Sequence, residues 1–184
     1  VDLRDALFFL LVIVFWLSLL AVASLAQDRV TMIPDGAVDP VVVIGTVEDY
    51  TGEVLLVRRM GQTVADRYPS STIQAVQTWR SPVHEQGLNQ FESGSNAEAE
   101  LSFQKAYREE TRDWVKREIL AYIVRCEIRR SDWGGAGTTF LKITHEDPST
   151  PYWNIAPIQW APQPLGDSQK ALARTWIREN DTPS

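Results

Sequence analysis

The sequence predicts an α+β chain in four parts, and three observations predict it. Residues 6–26 are an uncharged apolar run, residues 29–79 hold short β-prone stretches divided by turn residues, and residues 81–150 carry apolar residues at helical spacing. The fourth part, residues 151–184, is a proline- and tryptophan-rich segment followed by a terminal helix.

The run from Ala6 to Ala26 reads ALFFLLVIVFWLSLLAVASLA. Such a stretch cannot stand exposed in water, and as a helix it is long enough to cross a hydrocarbon core of about 30 Å. Ser24 and Ala26 place small residues three and one positions before Gln27, the pattern that signal peptidase reads, and Ala21-Val22-Ala23 offers a second site. Arg4 is opposed by Asp2 and Asp5, so the positive flank is weak. Residues 1–26 are therefore a cleaved signal peptide or an uncleaved membrane anchor. Both place the remainder outside the cytoplasm, periplasmic or secreted, or tethered to the inner membrane. Membrane contact is expected only through residues 6–26, if they are retained.

Residues 29–79 form a compact β module. Val30–Ile33 is a strand, and Pro34-Asp35-Gly36 supplies turn chemistry after it. Val41 begins a second strand that continues to Tyr50, with Gly45 marking a bulge or sharp bend inside it. Thr51-Gly52 turns the chain into Val54–Met60; Val64–Tyr68 and Ile73–Thr78 follow, parted by Pro69-Ser70-Ser71. Strands this short, with turns this tight, resemble an SH3-like or Sm-like barrel; a plain antiparallel meander satisfies the same pattern. No site is assigned to this module.

Residues 81–150 are read as two helical hairpins. Ser81-Pro82 opens them, a capping residue before a first-turn proline. Gly87, Gly94, Ala99, Phe103 and Ala106 then follow at intervals of 7, 5, 4 and 3. An offset of 37 carries Ala99 to Ala136, Phe103 to Phe140 and Ala106 to Ile143, while Trp133 takes the place of Asn96. This pattern resembles the tetratricopeptide-repeat (TPR) family, whose small residues let paired helices approach closely. The family period is about 34, so this unit is longer, which lengthens the helix Arg112 to Arg130. Gly134-Gly135 departs from the family pattern. The order of apolar leader, β module and hairpins is similar to that of a group of exported bacterial proteins.

Two units leave apolar faces open at their ends. The β module is expected to seal one. At the other, Trp153, Ile158 and Trp160 are placed to pack across the last hairpin, and Asp167-Ser168 caps a terminal helix with Ala171, Leu172 and Trp176 on one side.

The remaining residues exclude several chemistries. A net charge of -6 with dispersed basic residues argues against nucleic acid, which demands a basic face. Cys126 is the only cysteine, so no internal disulfide or cysteine zinc cluster forms, and it falls on the apolar stripe Val115, Ile119, Tyr122, Ile123. His84 and His145 lack a second ligand at helical spacing and read as exposed surface. No nucleophile elbow or phosphate-cradling glycine loop is present. No catalytic residue, metal or cofactor is assigned.

The expectation is thus a non-enzymatic extracytoplasmic scaffold or adaptor, or alternatively a membrane-anchored structural subunit of a larger envelope complex. The TPR resemblance implies a protein or peptide partner held by the first helix of each hairpin. On this chain that means Leu88, Glu92, Tyr122, Arg125 and Arg129.

Overall fold

The computed structural model describes residues 27–158 and 167–180. The apolar run and Trp160 lie outside the described residues, and among the described residues no helix is long and apolar enough to cross a membrane. Among the described residues the architecture is α+β, one five-stranded antiparallel sheet followed by five α-helices.

The strands are β1 (Asp28–Met32), β2 (Val41–Tyr50), β3 (Val54–Arg58), β4 (Asp66–Pro69) and β5 (Ile73–Gln77), in the order β4-β3-β2-β1-β5. A 3₁₀ turn at Ser70–Thr72 joins β4 to β5, carrying the chain from one edge of the sheet to the other. The long strand β2 makes this possible. It pairs with β1 as far as Gly45 and with β3 from Thr46 onward. A Cβ on Gly45 would stand 2.7 Å from the Arg58 carbonyl oxygen, so only glycine fits where the strand changes partners. The register break lies further along, between Val47 and Asp49, rather than at Gly45 as expected. Val30, Met32, Val47, Leu55 and Val57 fill the inner face.

The helices are α1 (Pro82–Glu92), α2 (Asn96–Glu109), α3 (Asp113–Arg129), α4 (Trp133–Glu146) and α5 (Asp167–Asn180). From α1 to α4 each packs on the next. Ser81 caps α1 by accepting from the His84 amide, and Asp132 caps α4 by accepting from the Gly135 amide at 2.9 Å. Three of the pairs aligned across the offset are buried, Ala99 with Ala136, Phe103 with Phe140 and Ala106 with Ile143, while Asn96 and Trp133 are half-buried. Gly87 lies flat against Phe103, where a Cβ would approach the ring to 2.8 Å. Small residues therefore do in this chain what close helix crossing demands.

The sheet is fastened to α3. Trp114 Nε1 donates to the Val47 carbonyl at 3.2 Å, and Arg117 Nη2 pairs with Asp49 and donates to the Tyr50 carbonyl. Arg112 donates to Thr78 and to the Trp79 carbonyl, and Arg80 pairs with Glu118 at 2.8 Å. A second joint lies beyond α4. Gly52, in the β2–β3 turn, donates to Asp147 Oδ2 at 3.0 Å and rests on the backbone of Ser149.

At the far end α5 reaches α4 through the side chains of Trp176 and Leu172. A Cβ on Gly137 would fall 1.6 Å from Trp176 Cζ2, so the indole fills the notch that glycine leaves, and Leu172 comes near Gly134. Of the two glycines that depart from the repeat pattern, Gly135 is a site of close approach, where a Cβ would stand 2.6 Å from Asp132 Oδ2, while Gly134 has ordinary room, and the helix runs intact through both.

Candidate functional site

One face of α3 carries the residues that the sequence points to. Positions 122, 125 and 129 follow at helical spacing, so their side chains stack along one stripe. Tyr122 lies stacked on Phe103 with ring centroids 5.1 Å apart, and Phe91 meets it edge-on at 5.5 Å. Above this aromatic group sit two guanidinium groups. Arg125 lies over the Tyr122 ring at 5.1 Å, and Arg129 over Phe91 at 3.7 Å, each contact worth about 0.5–2 kcal/mol. Arg129 also donates to the Phe91 carbonyl at 3.0 Å, which ties α3 to the end of α1. Arg125 makes no hydrogen bond or ion pair among the described residues, so its planar fork of donors is unspent.

These groups line a cleft of about 390 Å³ with Phe91, Ile128, Trp133 and Ile155. Its other wall is the segment after α4, where the turn Trp153–Ile155 packs on α3 and Asn154 and Ile158 complete the lining. Two arginines and no acid line it, and apart from Asn154 its other walls are apolar or aromatic. Guanidinium donors beside apolar walls are chemically suited to a carboxylate with apolar neighbours.

Of the five expected binding residues, Arg125 and Arg129 line this cleft and Tyr122 supports Arg125 from beneath. Leu88 is half-buried against the core and Glu92 is exposed beside Phe91; neither lines it. Phe91, Ile128, Trp133 and the 154–158 wall were not singled out as binding residues. The wall had one signal, the aromatic and proline content that marks it as packing on the last hairpin. Trp153 does so, its ring centroid 5.4 Å from that of Phe140.

His84 is a correction. Read as exposed, it is 1% exposed, edge-on to Phe103, and neither ring nitrogen has a hydrogen-bond partner among the described residues. Burial pushes its pKa down to about 4; Glu118 opposes the shift and Arg80 adds to it. The ring is held neutral because α1 lays its first turn against α2. His145 is exposed as expected.

Cys126 is buried on the apolar stripe, and burial raises its thiol to about 12, which leaves it protonated and unreactive. At the other extreme, burial works against ionising Glu110, but hydrogen bonds from Arg112 and from the Thr111 and Arg112 amides outweigh it and hold the carboxyl at about 2. Among the described residues no three His, Cys, Asp or Glu side chains are grouped to hold a metal.

No protein-family model, no curated protein and no solved structure matches the chain.

Proposed function

We propose that this chain is a non-enzymatic extracytoplasmic scaffold or adaptor of TPR type, which binds an extended peptide segment through the cleft beside α3. The observation that carries the reading is Arg125, held over Tyr122 with its donors unspent in a cleft that has no acid on its walls. A carboxylate-bearing segment with apolar neighbours satisfies both the guanidinium and the isoleucine walls.

The finer architecture belongs to the same reading. A strand shared between two pairings, a 3₁₀ turn before the last strand and the return of β5 beside β1 favour an SH3-like barrel over a plain meander. The repeated burial of Ala99 and Ala136, and of Phe103 and Phe140, favours two TPR-like units with α5 as their cap. A membrane-anchored structural subunit is the second reading, favoured by the apolar run Ala6–Ala26. Intact mass of the mature protein separates the two, through whether the chain begins at Gln27 or retains its leader.

Pull-down from envelope extract with the full chain, followed by sequencing of captured peptides, tests the cleft. Arg125→Ala is expected to weaken capture about tenfold, the loss of one charge-assisted contact, and to leave the melting temperature within a few degrees. Capture unchanged by Arg125→Ala together with Arg129→Ala sinks the proposal.

A further inference from the structure

His84 is the far end of a row of rings that runs through the first hairpin to the cleft beside α3. Its imidazole meets Phe103 edge-on with centroids 5.9 Å apart, Phe103 is stacked on Tyr122, and Tyr122 meets Phe91 edge-on. Arg125 lies over Tyr122 and Arg129 over Phe91, so both cleft arginines rest on this row. His84 and Phe91 are seven residues apart, two turns along one side of α1. The helix thus has the histidine at its first turn and a wall of the cleft at its last.

The histidine sits where a charge has little support. It is 1% exposed, and both ring nitrogens are buried without a partner among the described residues. α2 meets it with the uncharged ring of Phe103. The charged groups around it come from the other elements: Arg80 before α1, Glu110 and Arg112 between α2 and α3, and Glu118 on α3, while Glu85 on α1 itself is exposed. The two facing acids are already engaged, Glu118 with Arg80 at 2.8 Å and Glu110 with Arg112 at 2.8 Å. Glu118 Oε2 is buried and unpartnered, yet it makes no bond to the ring. An imidazolium here would carry two N–H donors with nothing to receive them, at a greater cost than the neutral ring.

We propose that α1 is an acid-released gate on the cleft beside α3: a proton on His84 lifts the helix from α2 and carries away the Phe91 wall. This rests on the cleft reading given above and adds its regulation. α1 has its main packing on α2, with Gly87 flat against Phe103, so the two helices part along the face where His84 lies. Lifting α1 also removes the Phe91 carbonyl and ring that hold Arg129. The direction follows from linkage. Burial lowers the His84 pKa from 6.5 to about 4, so the closed form has its full advantage above 6.5 and loses it as pH falls toward 4. The open form, in which the ring reaches water, gains about 20-fold between pH 7 and pH 5.

Hydrogen exchange of the free full chain, followed amide by amide at pH 7 and pH 5 with the intrinsic pH dependence divided out, tests the gate. The α1 amides are expected to exchange about 20-fold faster at pH 5, with Gln90 and Phe91 at the cleft end speeding by the same factor as Leu88 near the ring. His84→Leu is expected to remove that acceleration. NMR titration of the His84 ring in the unaltered chain preserves the test if the variant does not fold, with a midpoint near 4 expected. A midpoint at 6.5 or above, acceleration confined to the first turn, slower exchange at pH 5 through a new bond to Glu118, or acceleration that persists in His84→Leu overturns the inference. No captured peptide enters these measurements, so failure of the cleft as a peptide site shows separately, in the pull-down with Arg125→Ala and Arg129→Ala.

Discussion

Gly94 and Ser131, separated by the 37-residue offset, occupy the same left-handed position at the ends of α1 and α3, with φ of 83° and 61°. Their hydrogen bonds match too. Gly94 and Ser95 donate to Phe91 and Gln90, and Ser131 and Asp132 donate to Ile128 and Glu127. Both are Schellman closures, one built on glycine and the other on a residue that dislikes the conformation. Ser131→Gly is therefore expected to raise stability by up to about 1 kcal/mol, reduced by the greater freedom of glycine in the unfolded chain. Gly94→Ala is expected to lower it by about 1 kcal/mol. Urea midpoints with an unchanged slope check both, and a Ser131→Gly midpoint that falls contradicts the left-handed assignment.

The bond between Arg117 and Asp49 predicts an asymmetry. Arg117 has a side chain 7% exposed and Asp49 one that is 39% exposed. Removing the acid strands a buried cation, whereas removing the cation releases a carboxylate that already reaches water. Asp49→Ala is expected to cost about 2–3 kcal/mol and Arg117→Leu clearly less. Equilibrium unfolding of the two variants decides it; equal losses would mean that the pair is not what joins the sheet to α3.

Two buried titrations oppose one another below neutral pH. The His84 pKa is lowered from 6.5 to about 4, so its contribution is present above 6.5 and lost as pH falls toward 4. Glu127 is raised from 4.5 to about 7, so its contribution is present below 4.5 and lost as pH rises through 7. The native chain should show a shallow profile between these values, with a steeper acid limb as Glu110, held near 2, is protonated. His84→Leu is expected to unmask a decline in stability with rising pH, and Glu127→Gln a decline with falling pH, each at up to about 1.4 kcal/mol per unit. Denaturant melts across the range read the slopes, and parallel profiles in both variants would contradict the burial of these groups.

Local chemistry made most of the fold legible. Turn residues at Pro34-Asp35-Gly36, Thr51-Gly52 and Pro69-Ser70 bound the strands within a few residues of where they lie, and Ser81-Pro82 starts the first helix. Alanine and phenylalanine at a fixed offset located the helix crossings because close packing admits few alternatives. What stayed hidden depends on contacts between distant segments. His84 beside Glu85 looks like surface until α1 is laid on α2. Glu127 looks like a solvated charge, and only Gly134-Gly135 with Thr138-Thr139 hints that α4 comes near enough to enclose it. For the cleft beside α3, that helix supplied the arginines in plain view, but the opposite wall follows α4 and is placed by tertiary folding alone.

The seat that Gly52 takes against Asp147 and Ser149 joins points 95 residues apart, whereas each hairpin joins immediate neighbours. Closing the longer loop has the greater entropic cost, and its far side exists only once α4 has ended. A ribosome delivers the strands well before the residues that receive them. The β2–β3 turn thus meets its receiving residues only after the whole second hairpin has been synthesised.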